Sequence, residues 1–271
     1  MEEMRQHDQL NMPTELYNHV WEGHYLEAED GTIIRRSWLV ECIDAHLKLP
    51  DLAWGGQRVV GYDVADDGGD KNATASIYGS ILEAVDEWKG AEDELVKSTR
   101  RTLATAKAFK ATQIGYDSIG VGAGVGSILT ENKWRRHYKF NAGGKVTQPK
   151  KYYDRPSKIT NEDMFSNLKA QAWWNLADRV RNTYNAITKG YEFPADEMFS
   201  ISSKIPKKLL NQLIDELSTP LRDFDRNGRV KVESKDDLKK RDVKSPNIAD
   251  SIVIASAHAS LARRSILEMV K

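Results

Sequence analysis

The sequence predicts a mixed α/β domain, because segments of strand character alternate with segments of helical periodicity along most of the chain. Three observations carry that expectation. Residues 58–65 (RVVGYDVA) and 113–122 (QIGYDSIGVG) are short apolar runs that read as buried strands, each with an aspartate inside it. Between them, Leu95, Thr99, Leu103, Ala106 and Phe109 recur at helical spacing, as in a crossover helix over 94–109. Near the end, Ser245 and Pro246 form an N-cap and first-turn pair that opens a C-terminal helix from about Asn247.

In order along the chain, residues 1–50 are polar and aromatic by turns, with short apolar segments around Trp21 and Trp38, and read as a lead-in. Residues 51–271 then form the main domain. After the strand at 58–65, a Gly- and Asp-rich turn (DDGGDKN) leads into ATASIYGSIL (73–82) and EAVDEWKG (83–90). These are two more strands in hairpin order, completing an antiparallel meander that ends near Gly90. The crossover helix and the strand at 113–122 follow. GAGVGSILTENKW then reads as a loop opening another helix, and RRHYKFNA (135–142) as a strand. Thr160 and Asp163 have capping-box spacing, and Phe165, Leu168, Ala172, Leu176, Val180, Tyr184 and Ile187 continue as one apolar stripe to Gly190, which predicts a long packed helix. Pro206 precedes the short amphipathic helix LLNQLIDEL. Residues 222–235 read as a β-hairpin turning at Asn227 and Gly228.

Composition excludes more than it assigns. Lysine plus arginine total 40 and so do aspartate plus glutamate, so net charge gives no sign of a nucleic-acid partner and any such contact must be local. The lone Cys42 cannot form an internal disulfide, which fits a reducing compartment. No apolar run approaches the roughly 18 residues of a membrane span, and the N-terminus lacks the order of a signal peptide. The six histidines show no zinc-ligand spacing, and His258 reads as a packed or exposed helical residue.

The chemistry lies in carboxylates. Asp63 sits within an apolar strand, where an uncompensated charge costs several kcal/mol unless it meets a cation or donors. Asp117 repeats the arrangement, and Asp250 falls in the first turns of the apolar C-terminal helix. Two acids on neighbouring strands and one on a helix over them is the ribonuclease-H-like plan, which holds two hard metal ions across a scissile phosphate. Asp70 is a further candidate ligand in the turn after the first strand, with Asp66 and Asp67 competing for that role.

GYDVADDGGDKN resembles the first nuclease motif of the large terminase subunits of tailed bacteriophages, IGYDSIGVG the second, and KSPNIADSIVIA the third. YNHVWEGHYL resembles the segment that joins their motor to their nuclease, so the likeness spans 17 to about 257 and suggests a fragment that starts just before this linker. The resemblance implies a ribonuclease-H-like central sheet, antiparallel meander plus parallel strands, flanked by helices. It implies binding of Mg²⁺ or Mn²⁺, two ions, by Asp63, Asp117 and Asp250, with Lys244 as a helper. It also implies cutting of concatemeric double-stranded viral DNA in the host bacterial cytoplasm, with an ATPase motor domain, a small terminase subunit and a portal protein as partners. The chain has no phosphate loop of the form G-x-x-x-x-G-K-[ST], so by itself it is not expected to translocate DNA. The glycine-rich stretch at 120–127 either lets backbone approach the metal site or breaks a strand.

Weaker signals are of two kinds. Lys133, Arg135, Arg136, Lys150 and Lys151 are candidate DNA contacts, because basic and aromatic residues interleave there; 239–244 is a third basic cluster. Residues 223–234 imitate a calcium loop but carry Ser234 where a bidentate glutamate is needed, so a hairpin turn is the better reading. Trp173 and Trp174 read as core rather than as a base-stacking platform. A ribonuclease-H-like resolvase or integrase, and a non-catalytic portal-docking module, are the rival functions.

Overall fold

Strand β1 (Arg58–Asp63) is buried along almost its whole length, because helices cover both faces of the sheet it belongs to. The computed structural model describes residues 5, 21, 31–50, 52, 55–65, 70–90, 94–154 and 156–257. Asp66, Asp67, His258, Trp21's neighbours and most of the terminase-like linker segment lie outside these residues. β2 (Lys71–Tyr78) pairs antiparallel with β1, and β3 (Ile81–Lys89) antiparallel with β2. β4 (Gln113–Asp117) and β5 (His137–Phe140) add on the other side of β1 in parallel. A short strand, β6 (Ser200–Ile201), pairs parallel with β3, giving the order β5-β4-β1-β2-β3-β6.

The meander is present, but its second turn falls earlier than expected. The break is at Gly79 and Ser80, so Ile81 and Leu82 open β3 rather than end the strand before it. Gly79 has φ 59°, and its amide donates to the Gln57 carbonyl; the left-handed conformation that glycine tolerates sets the turn. The strand expected over 113–122 likewise stops at Asp117. A 3₁₀ turn at Gly120–Gly124 follows and leads into a helix at Val125–Glu131.

One face of the sheet is covered by the crossover helix Leu95–Ala108. Its buried side is rich in small residues (Ser98, Thr99, Thr102, Ala106), which let it lie close to Val60, Tyr62, Ile114 and Tyr116. The other face carries the larger core, built from α1 (Arg36–Glu41), the helices Leu168–Lys189 and Lys207–Ser218, and a last helix over 247–257. Ile33, Ile34, Leu39 and Cys42 belong to that core.

The long helix expected from Thr160 to Gly190 is two helices. Thr160 and Asp163 do form the capping box, but of a four-residue helix, Asn161–Met164. Phe165 is extended, bridges to Val230, and packs edge-on against Tyr153 at 5.1 Å between ring centroids. Asn167 then caps the real long helix by accepting from the Ala170 amide at 2.9 Å, and Gly190 closes it at φ 69°. Pulling Phe165 into its own apolar cluster is what interrupts the stripe. A small two-stranded unit (Tyr152–Asp154 with Ile159–Thr160) stands in the preceding loop.

The hairpin Arg222–Phe224 with Val230–Val232 turns through Gly228 at φ 76°. Both Asp225 oxygens are occupied internally, Oδ1 by the Asn227 and Arg229 amides and Oδ2 by the Arg229 guanidinium, as suits a turn and not a calcium loop.

Candidate active site

Gly61-Tyr62-Asp63 and Gly115-Tyr116-Asp117 are the same tripeptide on adjacent parallel strands, with Gly61 opposite Gly115 and Tyr62 opposite Tyr116. Parallel strands about 4.8 Å apart present in-register residues on one face. The two tyrosines therefore point together into the core beneath the crossover helix. Asp63 and Asp117, next in each strand, end it on the opposite face, towards the last helix. The glycines make that face accessible. A Cβ on Gly61 would lie 2.1 Å from the Ser251 carbonyl oxygen, and one on Gly115 would lie 2.3 Å from the Tyr138 ring. Tyr138 uses the space to donate its hydroxyl to the Ile254 carbonyl at 2.5 Å. The helix over 247–257 thus lies directly on β1, and Asp250, in its first turn, faces the two strand acids.

The expected cap of that helix is not the one observed. The Ser245 hydroxyl is buried and has no hydrogen-bond partner among the described residues, while the Ala249 amide donates to Glu216 Oε2 at 3.1 Å. A carboxylate from the helix Lys207–Ser218 therefore does the work assigned to a local serine, and suits the positive end of the helix dipole.

Electrostatics shows that the acids are neighbours. Asp63 is 5% exposed, and no hydrogen bond or ion pair engages its carboxylate among the described residues. Burial pushes its carboxyl well above the ordinary range; Asp250 and Asp117 push the same way, while Lys235 and Lys169 oppose. Asp117 is raised too, by burial first and by Asp250 next, although its Oδ1 accepts from the Ile119 amide at 3.0 Å. Gly122 brings the 3₁₀ turn against this residue, since a Cβ there would meet the Asp117 carbonyl oxygen at 2.0 Å. The glycine-rich stretch thus ends the strand and brings backbone to the site as well.

Two lysines that carry no sequence motif face the acids. Lys169 pairs with Asp250 at 3.0 Å. Lys235 pairs with Asp70 at 3.3 Å; burial would lower its pKa, but Asp63, Asp70 and Asp250 together raise it. Lys235 opens a short helix that Ser234 caps by accepting from the Asp237 amide, a signal that was present in the sequence inside the residues read as hairpin. Lys244 is exposed. It lines the same cleft of about 1060 Å³ as Lys235 and Asp70, but makes no hydrogen bond or ion pair among the described residues.

Asp70 is part-exposed and held by Lys235. Lys133, Arg135 and Arg136 precede β5. Ile114 pairs with His137 there, three residues before Asp117 pairs with Phe140, so this cluster lies about 10 Å or more away at the other end of the strands. Lys150 pairs with Glu162, and Lys151 is exposed in the same loop. The strand register thus keeps Lys133, Arg135 and Arg136 away from the acids. Trp173 is core, as expected, but its Nε1 also donates to Asp250 Oδ1 at 3.3 Å.

An all-oxygen donor set in which Asp63 has no donor of its own suits a hard divalent ion. Among the described residues, no three acidic, imidazole or thiol groups stand together closely enough to hold a metal ion. Lys169 on Asp250 and the Ile119 amide on Asp117 hold two of the three carboxylates otherwise engaged.

No protein-family model matches the chain, and no curated protein does. Solved structures do. The nuclease domain of the large terminase subunit gp2 of bacterial virus Sf6 superimposes with a TM-score of 0.75 at 29% identity, covering 83% of this chain and 97% of that one. A point variant of that domain, with manganese and beta-thujaplicinol, gives a TM-score of 0.77 at 29% identity over the same shares. A further structure of the variant, with calcium, gives 0.75 at 29% identity, covering 83% and 98%. The six-stranded mixed sheet with helices on both faces is the ribonuclease-H-like architecture of these domains. In fold, and at an identity that extends over most of both chains, the protein is similar to the nuclease domains of phage large terminase subunits.

Proposed function

We propose that the chain is a metal-dependent endonuclease that cuts double-stranded viral DNA during genome packaging, with Asp63, Asp117 and Asp250 as its ligands for divalent ions. The observation that carries this is Asp63: a buried carboxylate at a strand end, beside Asp117 and facing Asp250, with no donor among the described residues. Such a group destabilises the fold by itself, and its placement makes sense where a cation completes it. Mg²⁺ or Mn²⁺, as a pair, would supply an activated water and neutralise charge on the scissile phosphate.

The protein's own part is to position and to tune. β1 and β4 hold two carboxylates in register, and the last helix, seated on Gly61, brings the third. Lys235, which pairs with Asp70 in the cleft, offsets part of the mutual repulsion and would meet a phosphate oxygen of bound DNA. Asp70 orients Lys235. Lys244, in the same cleft, contacts DNA further from the reacting bond. The motor domain, small terminase subunit and portal are the partners that this function calls for, in the host cytoplasm. No helix among the described residues is long and apolar enough to cross a membrane.

Supercoiled plasmid incubated with the purified protein and Mn²⁺ or Mg²⁺ should be nicked and linearised. Asp63→Ala and Asp250→Ala should each abolish this, and full cutting by either variant would sink the proposal. Preference for a four-way junction over linear duplex would indicate a resolvase instead.

A further inference from the structure

The helix Leu168–Lys189 sends two donors to one carboxylate. Lys169 and Trp173 are one turn apart and share a face. Lys169 Nζ lies 3.0 Å from Oδ1 and 3.1 Å from Oδ2 of Asp250, while Trp173 Nε1 donates to Oδ1 at 3.3 Å. The near-equal distances place the ammonium between the two oxygens, where a bidentate cation would sit. The donors are held firmly. Trp173 is fully buried, the Lys169 amide donates to the Ala142 carbonyl at 3.0 Å, and Asn167 caps the first turn, which carries Lys169. The same ammonium is close enough to act on Asp63 and Asp117.

We propose that Lys169 is a tethered counter-ion, occupying Asp250 while the site is free of metal and leaving it when a divalent ion binds, so that this positioning residue sets the metal affinity. The inference rests on the reading of the three acids as metal ligands. Its side chain is 22% exposed, and a flexible four-carbon stem lets the ammonium leave without disturbing the helix. Trp173 stays in place and keeps Oδ1 oriented through the exchange.

The test is Mn²⁺ binding by the full chain without DNA, followed by calorimetry and by the paramagnetic resonance signal of free Mn²⁺. Lys169→Met should bind Mn²⁺ more tightly than the wild type, by about tenfold or more, because a like charge a few ångströms from the ion has gone. Lys169→Arg, which keeps the charge, should stay near the wild type. A lysine that only supported the fold would give the opposite sign, with weaker binding in the Met variant. Equal or weaker binding by a folded Lys169→Met overturns the proposal; if that variant does not fold, Lys169→Gln serves the same comparison. No Mn²⁺ binding by the wild type would overturn the ligand reading itself, whereas wild-type binding without tightening in the variants would overturn the counter-ion role alone.

Discussion

Gly61 and Ser251 are in direct backbone contact: a Cβ on Gly61 would lie 2.1 Å from the Ser251 carbonyl oxygen and 2.6 Å from the Ala255 amide nitrogen. This contact lies two residues before Asp63 in one element and one residue after Asp250 in the other. It sets the separation of the two acids.

Gly61→Ala is expected to lift the last helix off β1. Both neighbouring atoms belong to the backbone, so the strain cannot be relieved locally, and overpacking of this kind costs about 1–3 kcal/mol or more. Thermal unfolding should show a lowered Tm, and Mn²⁺ binding should weaken sharply as Asp250 withdraws. A variant with unchanged Tm and metal affinity would show that the close approach is not needed.

Asp63→Asn should separate stability from function. Because burial raises the Asp63 carboxyl above its unfolded value, the folded chain holds that proton to higher pH than the unfolded one. Stability from this group is therefore full below the unfolded value and declines as pH rises through the folded one. At pH 7–8 the metal-free Asn variant should melt higher than the wild type, by roughly 2–4 °C for each kcal/mol relieved. Addition of Mn²⁺ should stabilise the wild type and leave the variant unmoved. A lower metal-free Tm for the variant at neutral pH would contradict the electrostatic account.

Metal binding should release protons. Asp63 and Asp117 are both raised, and a cation requires their charged forms, so Mn²⁺ affinity should increase with pH from the carboxylate range upward. Calorimetric titrations in buffers of different ionisation enthalpy would count the protons. A pH-independent affinity with no proton release is the result that excludes this linkage.

Glu216 should make a separate contribution. Burial pushes it up to about 7, against the donors Gln212, Ala249 and Ile248 and with Glu87 adding to the rise. Its stabilising share is present at acid pH and lost as pH rises from its unfolded value to about 7, at roughly 1.4 kcal/mol per unit of separation. Glu216→Gln keeps an acceptor for the Ala249 amide without the charge. Chemical denaturation across pH 5–8 should show a flatter profile and a more stable variant above pH 7. A steeper loss in the variant would mean that the negative charge at the helix end outweighs its burial.

Much of this was legible in the sequence where the signal is local. The repeated Gly-Tyr-Asp marked two buried strands and their acids, since an aspartate inside an apolar run is conspicuous. The helical period of 94–109 and the turn at Asn227-Gly228 were equally plain. The small-residue face and the turn glycine are properties of neighbouring positions. Signals that compete locally were read less well. Phe165 fits a helical stripe by spacing, yet it leaves the helix because Val230 and Tyr153 offer it a separate cluster. Gly79 ended a strand that composition alone would have continued.

By itself the sequence determined the α/β alternation and the three aspartates of the proposed site, because buried charge and hydrophobic period are written residue by residue. Tertiary structure alone decided which cations meet those aspartates. Lys169 pairs with Asp250 and Lys235 with Asp70 in the neighbouring turn, and Glu216 caps the helix that Ser245 was expected to cap. The physical reason is that a charge pair between distant segments depends on strand register and helix seating, here the fit of Ser251 against Gly61, and neither is encoded in the spacing of residues along the chain.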